Sequence, residues 1–286
     1  MVRPQWLDRL YPFPSRFFEV DGKLSMHYLD EGSGEPILML HGNPTWSFYY
    51  RNLAAAFSKT HRVVVPDHIG CGLSDKPQDY DYTLERHIQN LEKLVGHLQL
   101  KSFVLIVHDW GGPIGFGLIA RHPELVKKIV ILNTAAYPSE VIALRINMCR
   151  IPVLAEQIIR RFNAFAWVAT YMAVAKKMPP DIRRGYLFPY DSYENRIATA
   201  RFVSDIPMKP NHRSYQTLKE IGESLSRHCC PILILWGEKD FCFHDYFLKR
   251  WQEIYPQATV KTFPGAGHYV LEDAADEVLN ELKRFI

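Results

Sequence analysis

Val107-His108-Asp109-Trp110-Gly111-Gly112 is the stretch whose reading decides the architecture. Residues 103–107 before it are all apolar, as a strand covered on both faces requires. Residues 110–121 after it read as a helix. A carboxylate thus sits on a sharp strand–turn–helix connection. This is the context that exposes a nucleophile in G-x-S-x-G, with Asp in the place of Ser. Gly111 supplies the small neighbour that the turn needs, whereas the first glycine of the serine version is replaced by Val107. The helix N-terminus favours negative charge and keeps Asp109 ionised. Asp at a helix start is also a common structural cap, so the weight of the reading comes from its surroundings.

Two further groups are placed by the strands around it. Asp240 follows the apolar run 232–236 within Gly237-Glu238-Lys239-Asp240, and His268 follows the run 259–263 within Gly265-Ala266-Gly267-His268. Both should project from the sheet edge that holds Asp109. The order nucleophile, acid, histidine is that of the α/β-hydrolases. Glu238 competes with Asp240 for the acid role but falls earlier in the turn. His41 and His108 flank the site and are expected to orient loops. His41-Gly42-Asn43-Pro44 follows the run 36–40, where this fold draws one oxyanion-hole N–H, the other coming from the residue after the nucleophile. Those residues are Asn43 and Trp110, whose side chains are donors as well.

The rest of the chain fits one large α/β domain. Runs 16–20 and 24–30 predict a hairpin around Asp21-Gly22. Buried strands are expected at 36–40, 62–66, 103–107, 128–132, 232–236 and 259–263, making an eight-stranded, mostly parallel sheet. Helices are expected at 46–58, 84–98, 110–121, 243–255 and 272–285. Between 137 and 211 no buried strand is legible. That segment is rich in aromatics and Met, and is interrupted at Pro152, Pro179-Pro180, Pro189 and Pro207. It is read as a helical cap inserted between the sixth and seventh strands, with 1–136 and 212–286 as the core. The insertion follows a strand's C-terminal end, where open α/β sheets place their ligand crevice.

Composition narrows the function classes. Of 286 residues, 47% are apolar, enough for a sizeable core. Thirty-four Lys and Arg nearly balance thirty-one Asp and Glu, for a formal charge of +3, which argues against a nucleic-acid partner. Five cysteines without regular spacing suit a reducing compartment, and the cytosol is expected. The first residues lack a signal peptide's apolar region, and no stretch reaches the ~18 residues of a spanning helix. An aromatic surface patch leaves contact with a membrane surface open. No metal motif is legible, and the chemistry calls for no cofactor.

His41-Gly42-Asn43-Pro44-Thr45-Trp46, His108-Asp109-Trp110-Gly111-Gly112 and Gly267-His268 resemble the haloalkane dehalogenases, over nearly the whole chain. The resemblance implies an α/β-hydrolase fold and a carboxylate that attacks carbon and expels halide. It implies Asp109 as nucleophile, His268 as the base that activates water, Asp240 as its partner, and Asn43 with Trp110 as halide holders. Some of those enzymes carry the acid after the sixth strand. Here that place holds Asn133-Thr134, so the acid is expected at Asp240. Tyr190-Asp191-Ser192, Arg196-Ile197-Ala198-Thr199, Phe202–207 and Trp236–241 resemble the β-lactone decarboxylases of bacterial long-chain olefin synthesis. These keep the same five site residues and turn a dialkyl β-lactone into a cis-alkene and carbon dioxide. A small apolar or long-chain alkyl substrate is implied, along with assembly with pathway enzymes or with copies of the chain.

Other readings fit less well. Epoxide hydrolases share the His-Asp-Trp-Gly-Gly turn but carry an aromatic at the Asn43 position. They also need cap tyrosines to protonate the epoxide, for which Tyr171, Tyr186 and Tyr190 are the candidates. Fluoroacetate-type dehalogenases place Arg where Trp110 stands. A non-catalytic ligand-binding member of the fold would not need an intact triad.

Overall fold

The computed structural model describes residues 3–151 and 153–286, so the expected break at Pro152 lies outside the described residues. Eight strands form one sheet: β1 (Arg16–Val20), β2 (Leu24–Glu31), β3 (Pro36–Leu40), β4 (Arg62–Pro66), β5 (Phe103–His108), β6 (Val126–Leu132), β7 (Ile232–Gly237) and β8 (Thr259–Phe263). Their spatial order is β1-β2-β4-β3-β5-β6-β7-β8. β1 and β2 form the expected antiparallel hairpin, and β2 runs antiparallel to β4. All later neighbours are parallel. Asp21 and Gly22 both take positive φ at the hairpin turn, a conformation Gly adopts freely and Asp tolerates.

Every residue of β5 and of β7 is buried, which explains the apolar runs 103–107 and 232–236. Helices cover both faces. They are α1 (Gln5–Leu10), α2 (Arg51–Phe57), α3 (Leu84–His97), α4 (Gly111–Arg121), α5 (Leu144–Met148), α6 (Leu154–Phe162), α7 (Ala164–Met172), α8 (Pro180–Leu187), α9 (Ile197–Ser204), α10 (Tyr215–Ser224), α11 (Asp245–Ile254), α12 (Val270–Asp273) and α13 (Ala275–Phe285). One apolar cluster joins α3, α4 and α11 to one face of the sheet. A second joins α2, α8 and α13 to the other.

The differences from expectation are local. The helix expected at 46–58 opens as a 3₁₀ turn, Ser47–Tyr50, before α2. The helix expected at 272–285 is two pieces, broken at Ala274, whose backbone leaves the helical region, while the Asp273 carboxylate accepts backbone N–H groups from Gly267, Ala175 and Lys176. α1 and α10 are additional. Between β6 and β7 the described residues form helices and no strand.

This topology sets the position of the site. β4 lies on one side of β3 and β5 on the other, so chain progression reverses at β3. The carboxyl ends of β3 and β5 flank the resulting crevice, where α/β sheets bind ligands. Asn43 follows β3, and Asp109 follows β5.

Candidate active site

Asp109 takes φ of 49°, in the left-handed region that a non-glycine residue rarely adopts. The turn holds it there. The Asp109 N–H donates to the Asn133 carbonyl at 3.2 Å, and the Asp109 carbonyl accepts from Gly112 N–H at 2.9 Å. Gly111 is required: a Cβ there would lie 2.0 Å from the Leu40 carbonyl oxygen. Strain concentrated at such a turn marks a functional position. The structural cap reading fails, because the N-cap residue of α4 is Trp110 and it makes no side-chain cap bond.

The Asp109 carboxylate is held asymmetrically. Oδ1 accepts the Asn43 backbone N–H at 2.6 Å. The Trp110 backbone N–H also donates to the carboxylate. Oδ2 lies 3.7 Å from His268 Nε2, beyond hydrogen-bond contact. Burial pushes the Asp109 carboxyl above the ordinary carboxylate range, against the opposing pull of His268 and the two N–H donors.

His268 is 5% exposed, and its Nδ1 meets Asp240 Oδ2 at 2.8 Å. With Nδ1–H donating to that carboxylate, the Nε2 lone pair faces Asp109. Burial opposes protonation of the ring, but Asp240, then Asp109, outweigh it and raise His268 above its ordinary value. Asp240 is buried beside it. Its Oδ1 accepts the Cys242 N–H at 2.7 Å. The rival acid, Glu238, is exposed and does not bond to the imidazole.

His41 and His108 orient loops as expected. His41 Nδ1 meets the Gly42 carbonyl at 2.7 Å, and its Nε2 accepts the His68 N–H at 3.1 Å. His108 Nε2 meets the His268 carbonyl at 2.9 Å. Burial drives His108 well below the ordinary imidazole value, so it stays neutral.

The side chains of Asn43 and Trp110 both line the crevice. Asn43 Nδ2 donates one proton to the Thr199 carbonyl at 3.1 Å, which leaves its second free. Trp110 packs on Phe202 of α9, with ring centroids 5.1 Å apart. Sequence reading missed Asn133 as a site residue. Its Nδ2 donates to Asp240 Oδ2 at 2.9 Å and to the Gly237 carbonyl at 3.1 Å, and its Oδ1 accepts the Gly237 N–H at 2.8 Å. One amide therefore links the turn under the nucleophile to the loop of the acid. The available signal was its position at the carboxyl end of β6.

A cavity of about 510 Å³ opens over these groups. Asn43, Asp109, Trp110 and His268 line it from the strand ends, and α5–α7 contribute Ile146, Ile159 and Phe165 among others. The three candidate tyrosines do not line it. Tyr171 accepts from Arg183, Tyr186 donates to Glu272, and Tyr190 donates to the Thr45 carbonyl. No phenol among these three is aimed at a substrate oxygen, so none of them supplies the acid an epoxide hydrolase needs.

Comparison with known proteins bears on the fold and the family. The sequence pattern of the alpha/beta hydrolase fold matches residues 35–275. A cis-3-alkyl-4-alkyloxetan-2-one decarboxylase of Shewanella oneidensis is 49% identical over 98% of this chain and 90% of the relative. Haloalkane dehalogenase 2 of Mycobacterium bovis is 31% identical over 94% of each chain. Among solved structures, an ancestral haloalkane dehalogenase superposes with a TM-score of 0.86 at 25% identity, covering 94% of this chain and 97% of that one. The chain is an enzyme of the α/β-hydrolase family, in the branch that holds the cis-3-alkyl-4-alkyloxetan-2-one decarboxylases and the haloalkane dehalogenases.

Proposed function

We propose that this enzyme decarboxylates oxetan-2-ones bearing two alkyl chains in cis, releasing a cis-alkene and carbon dioxide. The observation that carries the reading is the apolar cavity closed over a single reactive pair, Asp109 Oδ2 and His268 Nε2. Its volume lies within the usual range of small-molecule sites, and its lining suits alkyl chains. The decarboxylase relative, 49% identical, supports the same substrate class.

The chain's own groups supply the chemistry. The Asn43 backbone N–H occupies Oδ1, and Oδ2, which faces His268 Nε2, serves as the nucleophile. In a dry cavity the carboxylate loses its hydration shell, and fixed dipoles replace it. Oδ2 attacks ring carbon C4 and the C4–O1 bond breaks, with its electron pair remaining on a new carboxylate. The free side-chain N–H groups of Asn43 and Trp110 are placed to receive that charge. The C3–carboxylate bond then breaks, its electrons form C3=C4, and the C4–Oδ2 bond returns its pair to Asp109. Inversion at C4 followed by anti elimination leaves both chains on one side of the double bond, a cis product. No water is consumed.

Helices α5, α6, α7 and α9 line this reaction space from above, and we assign 137–211 as a cap on a core of 1–136 and 212–286. Five free cysteines suit a cytosolic location. Incubation with a long-chain cis-dialkyl β-lactone is expected to yield alkene by mass spectrometry. Quantitative recovery of the lactone from folded enzyme overturns the reading.

A second reading is favoured by the free donors of Asn43 and Trp110, which suit a departing halide. The product would then be an Asp109 ester that His268-activated water hydrolyses, with the oxyanion held by the two backbone N–H groups. Halide release from 1-bromobutane or 1,2-dibromoethane with inert lactone would establish a dehalogenase.

The two chemistries differ in pH dependence. Ester hydrolysis needs neutral His268, whose value is raised. Halide turnover therefore falls as pH drops through a point above the ordinary ~6.5 of imidazole. Lactone opening needs an ionised Asp109, whose carboxyl burial raises, but no neutral imidazole at His268. Alkene formation is therefore expected to lack the acid limb that His268 gives halide turnover. Coincident acid limbs in the two rate profiles would contradict the water-free route.

A further inference from the structure

Exposed large apolar side chains are not scattered over this molecule. Of the twelve among the described residues, ten lie between Leu144 and Tyr171, on α5, α6, α7 and the turn between α5 and α6. Phe162 is 74% exposed, Leu144 73% and Trp167 51%. Isolated exposed apolar residues are ordinary, but a concentration of this kind marks an interaction surface. Several members, including Met148, Ile151, Leu154 and Val168, also line the cavity. The patch is thus the rim of the cavity mouth.

Charge is distributed to match. Residues 137–211 carry eleven Lys and Arg against six Asp and Glu, whereas the remainder carries twenty-three against twenty-five. Arg145, Arg161 and Lys177 are exposed in or beside the patch and pair with no acidic side chain among the described residues. No described helix is long and apolar enough to cross a membrane. An apolar face that includes Trp167 and Tyr171 and is accompanied by cations without acidic partners matches a surface that lies on a bilayer.

We propose that the cap docks through α5–α7 on an anionic lipid leaflet, with the cavity mouth opening into the acyl region. Apolar substrate would then enter by lateral partition from the bilayer and never cross water. Phe162, Leu144 and Trp167 insert at the headgroup–acyl boundary. Arg145, Arg161 and Lys177 meet lipid phosphates, an attraction that salt screens. The docking surface is independent of which bond Asp109 breaks.

The test is co-sedimentation of the full chain, without substrate, with phosphatidylcholine vesicles and with vesicles that also contain phosphatidylglycerol. Binding is expected on the mixed vesicles, weaker on the neutral ones, and reversed by high salt. F162S together with W167S should lower the bound-to-free ratio at least about tenfold. R161E together with K177E should remove the preference for anionic vesicles. Brominated acyl chains should quench the wild-type fluorescence more than that of W167F, a readout that survives if the double variants fold poorly. The proposal is overturned if the folded wild type stays in the supernatant at every composition. It is equally overturned if a solution dimer, made monomeric by W167S, accounts for the patch. Vesicle binding with no alkene formed would retain this surface and reject only the lactone reading.

Discussion

Asp109→Asn is expected to lower alkene formation by at least about 10⁴-fold while leaving the fold in place. The amide preserves what positions the residue. Its oxygen can still accept the Asn43 N–H that now meets Oδ1 at 2.6 Å. Asn also tolerates the left-handed backbone that Asp109 adopts at φ 49°. What is lost is the anionic oxygen that forms the covalent bond, and an amide offers no comparable nucleophile. Burial disfavours the charge of Asp109, so removing it should leave the thermal midpoint unchanged or higher. Rate and stability therefore move independently. Turnover within tenfold of wild type in a folded Asp109→Asn protein would show that Asp109 is not the nucleophile. A ligand-binding protein would instead keep its affinity for an apolar ligand and have no turnover to lose.

Much of this arrangement could be read from the sequence because it is local. A run of five apolar residues followed by His-Asp-Trp-Gly-Gly has few other three-dimensional forms. His268 and Asp240 lie directly after β8 and β7, so a correct strand assignment places them on the right edge of the sheet. Groups defined by long-range hydrogen bonds were not legible. Asn133 reads only as the place where some dehalogenases carry the acid and this chain does not, and only the fold brings its amide to Gly237 and Asp240, more than a hundred residues away. Asp273 likewise reads as a helix residue. It is one, the last of α12, but its carboxylate also pins the Ala175-Lys176 backbone to the loop of His268, a contact no sequence pattern shows. α10 was hidden by Gly222 in its interior and by the polar loop before it, although Leu218 and Ile221 give it a buried face. The exposed face of α5–α7 escaped for the opposite reason. Apolar periodicity marks a buried face, and here the apolar face continues past the cavity onto the surface.

The second large effect concerns the acid. Asp240→Asn is expected to slow His268-dependent hydrolysis of the Asp109 ester by about 10²–10⁴-fold, through loss of charge and of the tautomer that leaves Nε2 free. In single-turnover halide assays the first step should survive and the ester should accumulate, detectable as added mass on the protein. Asn133 offers a second place for the carboxylate, because its Nδ2 lies 2.9 Å from the same Oδ2 that accepts from His268. Adding Asn133→Asp to Asp240→Asn is therefore expected to restore hydrolysis at least about tenfold over the single variant. Recovery should be partial, because the Gly237 carbonyl then loses the donor it now has at 3.1 Å. Asn133→Asp alone should give no gain, since two buried carboxylates side by side cannot both ionise. A double variant no faster than Asp240→Asn would show that the carboxylate works only from β7. Alkene formation, which consumes no water, should be much less sensitive to all three changes than halide turnover. Equal losses in both reactions would place His268 in lactone breakdown itself, as more than a charge beside Oδ2.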